Sequence, residues 1–219
     1  MAEQTAPPSP QGPRLPTVLA PMEGERLADD LTWTGVEVTG DIGAGVEAAD
    51  VEITESRLVG CDLAGTAVER LRMSDVVLDG CDLSGALLYD ALMRRVELRD
   101  CRMSGTVLAG ARLHDVRFVG CKAEEANFRS IQGERVVFDD TILRGADLNS
   151  STITDGALLG CDLTRADVRK AKLPGAPLHG SILDDLVGAD HLRGVRIDGT
   201  QIVPLALRLF AALGVAVDD

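Results

Sequence analysis

Five cysteines, Cys61, Cys81, Cys101, Cys121 and Cys161, return on a twenty-residue beat that skips once, at Thr141. Thiols at a fixed interval could ligate a metal, pair as disulfides or serve as nucleophiles. No Cys-x-x-Cys occurs, however, and His114, His179 and His191 stand at no metal-ligand spacing. Carboxylates come in adjacent pairs, Glu124 with Glu125 and Asp184 with Asp185, the residue type used for general acid–base work. A G-x-S-x-G elbow and a G-x-x-x-x-G-K-[ST] loop are both missing, and "GDIGAG" at 40–45 does not match the dinucleotide fingerprint. These residues therefore predict no catalytic site, no cofactor and no metal, and the chain reads as a non-enzyme.

What must position the cysteines is a period of five. Cut from Leu31 to Asp185, the sequence gives 31 phrases in one frame without insertion or deletion. The third position is large and apolar except at Gly43, Ala48, Ala123 and Gly133. The first is mostly Cys, Ala, Ser, Thr or Val, and the fifth is Gly in 14 of the 31. Five matches neither the 3.6 of a helix nor the 2 of a flat strand. It needs a chain that turns a corner every five residues, aided by Gly, Asp, Asn and Ser. Four sides then close a coil of twenty residues. Stacking at ~4.8 Å per coil gives a rod ~37 Å long, in which each coil buries its leucines only against its neighbours. The cysteines become one inward column of small side chains on one side of the rod. A disulfide between neighbours is sterically possible, but a buried thiol already satisfies the position.

Phrases such as "CDLAG" (61–65), "CDLSG" (81–85), "ADLNS" (146–150), "CDLTR" (161–165) and "ANFRS" (126–130) carry a resemblance to the pentapeptide-repeat proteins, whose phrase runs small–Asp/Asn–Leu/Phe–polar–Gly. The resemblance covers residues 31–185. It implies an all-β fold, a right-handed quadrilateral β-helix, here with a short C-terminal helical cap. It also implies a function: the best understood members imitate a DNA duplex, bind DNA gyrase and blunt topoisomerase poisons such as fluoroquinolones. With no interruption to encode a projecting loop, the chain is most similar to the loop-free mycobacterial type, which ends in a dimer contact.

The organisation expected is a disordered Pro- and Ser-rich lead-in over 1–20, an N-terminal cap over 21–30, the solenoid over 31–199, and a helical cap with a dimer contact over 200–219. After Asp185 the frame slips, with Val195 to Gly199 out of register by one. Thr200 is the expected N-cap of a helix that is apolar nearly all round, so Ile202, Leu205, Leu209, Phe210 and Leu213 are candidates for a homodimer contact. The alternative is that "GVAVDD" at 214–219 folds back over the helix. The opening stretch has no signal-peptide pattern and no segment is long enough to span a bilayer, so a cytoplasmic protein without a membrane partner is expected.

Charge bounds the partner. The chain carries 35 acidic and 22 basic residues, a net −13, and should repel nucleic acid. Residues 31–185 hold 26 acidic against 17 basic, net −9, or roughly one charge per 4 Å of rod, whereas duplex DNA carries one per ~1.7 Å. The likeness in charge is partial, and basic residues interrupt all four sides. The third side (51–55, 71–75 and onward by twenties) balances, with Arg72, Arg94, Arg95, Arg112, Arg135 and Lys172 as its basic set. The acidic partner surface is placed on Asp62, Asp82, Glu97, Asp100, Glu124, Glu125, Asp139, Asp140 and Asp162. Two readings stand: a DNA-like rod binding DNA gyrase or topoisomerase IV, with antibiotic resistance as its consequence, or a scaffold for some other protein. Two irregular places are expected: Asp41, an inward carboxylate beside Gly43, and a bulge around Gly133, where Ile131 fills a small slot.

Overall fold

The computed structural model describes residues 9–215. Twelve strands run in chain order: β1 (Ala20–Glu23), β2 (Thr32–Thr34), β3 (Val36–Asp41), β4 (Glu47–Ala49), β5 (Glu52–Asp62), β6 (Ala67–Glu69), β7 (Arg72–Asp79), β8 (Leu92–Arg99), β9 (Arg112–Val119), β10 (Gln132–Asp139), β11 (Thr152–Thr154) and β12 (Ala157–Leu159). All pairing is parallel. The main sheet is ordered β1-β3-β5-β7-β8-β9-β10-β11, with β2 on β5 and β12 on β10, and β4 pairs with β6. From β2 onward the register is twenty almost throughout, as in Arg72↔Leu92↔Arg112↔Gln132. Isolated bridges carry the same step along the cysteine side, Asp62↔Asp82↔Arg102↔Lys122. The chain is a parallel β-solenoid with one short C-terminal helix, α1 (Ile202–Ala212).

The corner is what makes the period five. Every fifth residue from Asp30 to Asp185 has a left-handed backbone, with φ between 47° and 92°, whatever its side chain. Glycine adopts this freely, while Glu55, Arg70 and Lys170 do so at a cost of roughly 1–2 kcal/mol each. The fold thus imposes the corner on residues that would not choose it. At Gly188, just past the last corner, glycine is also required for space: an ideal Cβ there would sit 2.8 Å from the Arg169 backbone, while one on Gly85 would meet nothing within 4 Å. Gly85→Ala is accordingly expected to cost about 1 kcal/mol, and Gly188→Ala roughly 2–3 kcal/mol, read from urea unfolding midpoints. Equal costs would show that the Arg169 backbone simply moves aside.

Inside the corners lies one continuous core. Leu58, Leu78, Leu98, Phe118, Phe138 and Leu158 form its column on the fourth side (56–60, 76–80 and onward by twenties), all at 2% exposure or less. The expected bulge around Gly133 does not exist. β10 keeps its twenty-residue register through Gly133 on both sides, and Cys121 to Asp140 is a regular coil. The reason is volume balance: Ala123 and Gly133 are small where Phe128, Ile131 and Phe138 are large, and all five are buried. A Cβ at Gly133 would approach Val136 Cγ2 to 2.8 Å, so no leucine is missing there. Asp41 also departs from expectation. The register shifts by one between Thr39 and Asp41, which turns Asp41 outward and gives the buried slot to Ile42. Asp41 Oδ1 then accepts the backbone N–H groups of Gly43 and Ala44.

The two ends differ in construction. Leu27 is buried against Gly43 at the first coil, and β1 adds an edge strand beside β3. The expectation of a disordered lead-in is corrected for residues 9–20, which lie along the rod. Gln11 N donates to Asp115 at 3.0 Å and Arg14 N to Asp75 at 2.9 Å, so this stretch straps at least three coils before β1. The remainder of that lead-in, residues 1–8, lies outside the described residues. At the other end Pro177 pairs with Arg196, a step of nineteen, in keeping with the slipped frame. The N-cap of α1 is Gln201 rather than Thr200, which lies in a 3-10 turn, Gly199–Gln201, just before the helix. Asp198 caps that turn, its side chain accepting Thr200 N while Gln201 Oε1 accepts Asp198 N in return. Leu205 and Leu209 pack against the core, which removes two of the five residues expected at a dimer contact. Ile202, Phe210 and Leu213 remain exposed, together with Val203 and Leu207. The alternative fold-back of 214–219 falls mostly on residues 216–219, outside the described residues.

Candidate functional site

The cysteine column comes first because it holds the reactive groups. All five thiols are free and buried. Each Sγ donates to a main-chain carbonyl twenty-three residues earlier: Cys61 to Val38 (3.2 Å), Cys81 to Leu58 (3.4 Å), Cys101 to Leu78 (3.6 Å), Cys121 to Leu98 (3.5 Å) and Cys161 to Phe138 (3.5 Å). Thr141 and Ser181 make the same bond through their hydroxyls, to Phe118 at 3.3 Å and Leu158 at 3.0 Å. Gln201 closes the column by donating to the carbonyls of Leu178 and Ser181, both at 2.6 Å. The slot therefore selects a small side chain with one hydrogen to donate, because a buried carbonyl left alone is costly. Burial pushes the Cys161 thiol up to about 12, away from the thiolate that reacts. Native protein is expected to leave 5,5′-dithiobis(2-nitrobenzoate) unreacted, with five thiols appearing in urea; fast reaction of any native thiol would contradict the packing role.

The nine acidic residues assigned to a partner surface do not act alike. Asp82, Glu97, Asp139 and Asp162 form ion pairs with Arg102, Arg99, Arg117 and Arg144 respectively. Asp62, Asp82 and Asp162 accept the backbone N–H two residues ahead, an Asx turn that helps form the corner. The Asp82 and Asp162 carboxyls lie below the usual range: burial would raise both, but hydrogen bonds with Ser84 and Thr164 outweigh it, aided by Arg102 and Arg144. Glu124 accepts from the Ser104 hydroxyl at 3.1 Å. Asp100, Glu125 and Asp140 make no ion pair among the described residues and stand at left-handed corners over Gly120, Gly145 and Gly160 of the next coil. The structure thus divides the nine into four that arginines neutralise, Asp62 held by its turn, and an outward group of four, Asp100, Glu124, Glu125 and Asp140.

A second charged array went unrecognised in the sequence. The corner between the third and fourth sides reads Glu55, Asp75, Arg95, Asp115, Arg135 and Asp155 up the rod. Arg95 Nε donates to Asp75 at 2.6 Å, and Arg135 bonds Asp115 through Nε (2.6 Å) and Nη2 (3.0 Å). Asp75, Arg95 and Asp115 are buried, at 7%, 9% and 2% exposure, since the strap from Gln11 to Arg14 also bonds this corner. The signal was present, an Asp/Arg alternation at a spacing of twenty, but its burial depends on the strap. Among the described residues no cluster of His, Cys, Asp and Glu is arranged to hold a metal, and no helix is long and apolar enough to cross a membrane.

Comparison with known proteins agrees with this geometry. The family profile described as "Pentapeptide repeat region" matches residues 51–128. No curated protein matches the chain. Among solved structures, a trypsin-treated point variant of QnrB1, described as a plasmid-mediated fluoroquinolone resistance protein, aligns over 92% of this chain and 100% of its own, at 21% identity and a TM-score of 0.66. A second trypsin-treated point variant of QnrB1 aligns over 89% of this chain and 100% of its own, at 23% identity and a TM-score of 0.52. At such identities the likeness is one of fold.

Proposed function

We propose that this chain, which is a pentapeptide-repeat protein, is a non-enzymatic binding protein whose acidic rod engages DNA gyrase or topoisomerase IV and protects it from poisons. The observation that carries the reading is a stack that keeps one register of twenty from Asp62 to Ile182, in which the carboxylates of Asp100, Glu125 and Asp140 make no ion pair among the described residues and Glu124 bonds only a serine. The fold shared with a fluoroquinolone resistance protein supports it. In this reading the protein works in the cytoplasm as a homodimer, joined through the exposed face of α1 at Ile202, Phe210 and Leu213. The rod itself would make no contact with nucleic acid, since like charges face each other.

A scaffold for a different protein is the second reading. What favours it is the pairing of Asp82, Glu97, Asp139 and Asp162 with arginines, which lowers the charge density that a DNA-like surface needs. A gyrase supercoiling assay with and without a fluoroquinolone separates the two. Inhibition at micromolar protein, or less drug-induced cleavage, relieved by Asp100→Asn with Asp140→Asn, supports the topoisomerase reading. Folded protein without effect on either readout leaves the scaffold.

A further inference from the structure

The third side of the rod carries a feature that an acidic binding surface does not use. A trough of about 790 Å³ runs along it from Glu52 to Thr154. Its floor is the backbone over Met73, Met93, Leu113 and Gly133. One rail is the register Arg72↔Leu92↔Arg112, and the other is Ser74↔Arg94↔His114. At Arg72, Leu92 and Arg112 the trough passes over the edge into a second hollow of about 250 Å³.

Many arginines of the chain are paired, Arg57 with Glu37, Arg70 with Asp50, Arg129 with Asp147 and Arg169 with Asp167. Arg165 and Arg193 are not, but in this trough three unpaired arginines line one hollow. Arg72, Arg94 and Arg112 are exposed and make no ion pair or hydrogen bond among the described residues. Of the acids lining the trough, Glu134 is already held by Arg135 and His114, and Glu52 lies at one end. Three guanidiniums without an ion pair thus surround Leu92, itself 36% exposed, on a protein of net charge −13.

We infer that the Arg72–Arg94–Arg112 trough is a docking site for an extended acidic segment of a partner protein, with an apolar residue seated on Leu92 between its carboxylates. Charge complementarity selects an anion, and the planar guanidinium fork suits a carboxylate. Coil spacing places Arg72 and Arg112 about 10 Å apart along the axis, and a peptide in the extended polyproline II conformation, with three residues per turn at ~3.1 Å each, brings a carboxylate back to the same face over about that distance. A nucleic acid fits less well. Its charges recur every ~1.7 Å in a duplex and would run past three arginines onto flanking carboxylates such as Glu52 and Asp90. The inference stands independently of the topoisomerase reading, which uses other sides of the rod.

The test is fluorescence anisotropy of the full chain with a fluorescein-labelled (Glu-Leu-Ser)4 peptide, its Gln-for-Glu counterpart and a twelve-residue oligothymidylate. The acidic peptide is expected to bind at micromolar concentration, at least tenfold more tightly than the Gln peptide, and more weakly as salt rises. Arg72→Glu with Arg112→Glu should lose at least tenfold, whereas Lys122→Glu with Arg165→Glu, the same charge change on the cysteine side, should lose less than twofold. Should the double variant not fold, Arg94→Gln read against Lys122→Gln serves the same purpose. Absence of peptide binding at millimolar concentration, or binding indifferent to these arginines, would overturn the inference. So would tighter binding of the oligonucleotide through the same residues.

Discussion

Phe128→Ala is expected to lower the unfolding free energy by about 3–5 kcal/mol. Phe118 and Phe138 stack face to face at 4.6 Å with an interplanar angle of 5°, and Phe128 meets both edge-on, at 5.9 and 5.4 Å. All three rings are fully buried. The alanine would lose the transfer energy of the ring, leave a cavity and remove two aromatic contacts of about 0.5–1.5 kcal/mol each. Nothing nearby can refill the space, because Ala123 and Gly133 in the same coil are small as the counterpart of the large rings. In a stack where each coil is covered only by its neighbours, damage at mid-rod also weakens the coupling between halves. Urea unfolding followed by circular dichroism should show an earlier transition, and Phe128→Leu should recover most of the loss because it restores the leucine of the repeat. A cost below about 1 kcal/mol for the alanine would refute this account of coil 121–140.

The second large effect belongs to the buried corner. Asp75→Asn should cost about 3 kcal/mol, since it removes the bonded counter-charge of the buried Arg95 guanidinium and leaves only the attraction of Asp115. The same carboxylate gives stability a pH dependence. Burial alone would raise the Asp75 carboxyl, but its bonds from Arg95 and the Arg14 N–H outweigh that and hold it below the usual range. Arg135 does the same for Asp115, against burial and with help from the Gln11 N–H. An unfolded aspartate titrates near 3.9, so around and below that pH the unfolded chain binds more protons than the folded one. The contribution is therefore fully present above about pH 4–5 and is lost as pH falls through the depressed folded values. Urea midpoints between pH 7 and pH 3 should fall more steeply for the native chain than for Asp75→Asn. Parallel curves would mean that the pair does not report on acid stability.

Much of this was legible in the chain itself because a solenoid repeats one environment. Leucine at every third position and a small residue at every first are forced by the inward geometry of each side, so the frame, the coil of twenty and the cysteine column follow from spacing alone. Even the end of the frame showed, as the step of nineteen at Pro177 and Arg196. Outward residues are under no such constraint, and there the reading was coarser. Counting charges by side put Asp82 and Asp162 on an acidic surface, whereas contacts between stacked coils tie them to Arg102 and Arg144. Which arginines stay bare is decided by the same contacts, through side-chain reach across ~4.8 Å. The bulge at Gly133 was misread because a phrase taken by itself lacks a leucine, while packing balances volume over a whole coil. The strap from Gln11 to Arg14 has no repeat and no periodicity; only its docking onto Asp75 and Asp115 gives it a place. Local pattern determined the rod, and contacts between residues distant in the chain decided which of its charges are free to meet a partner.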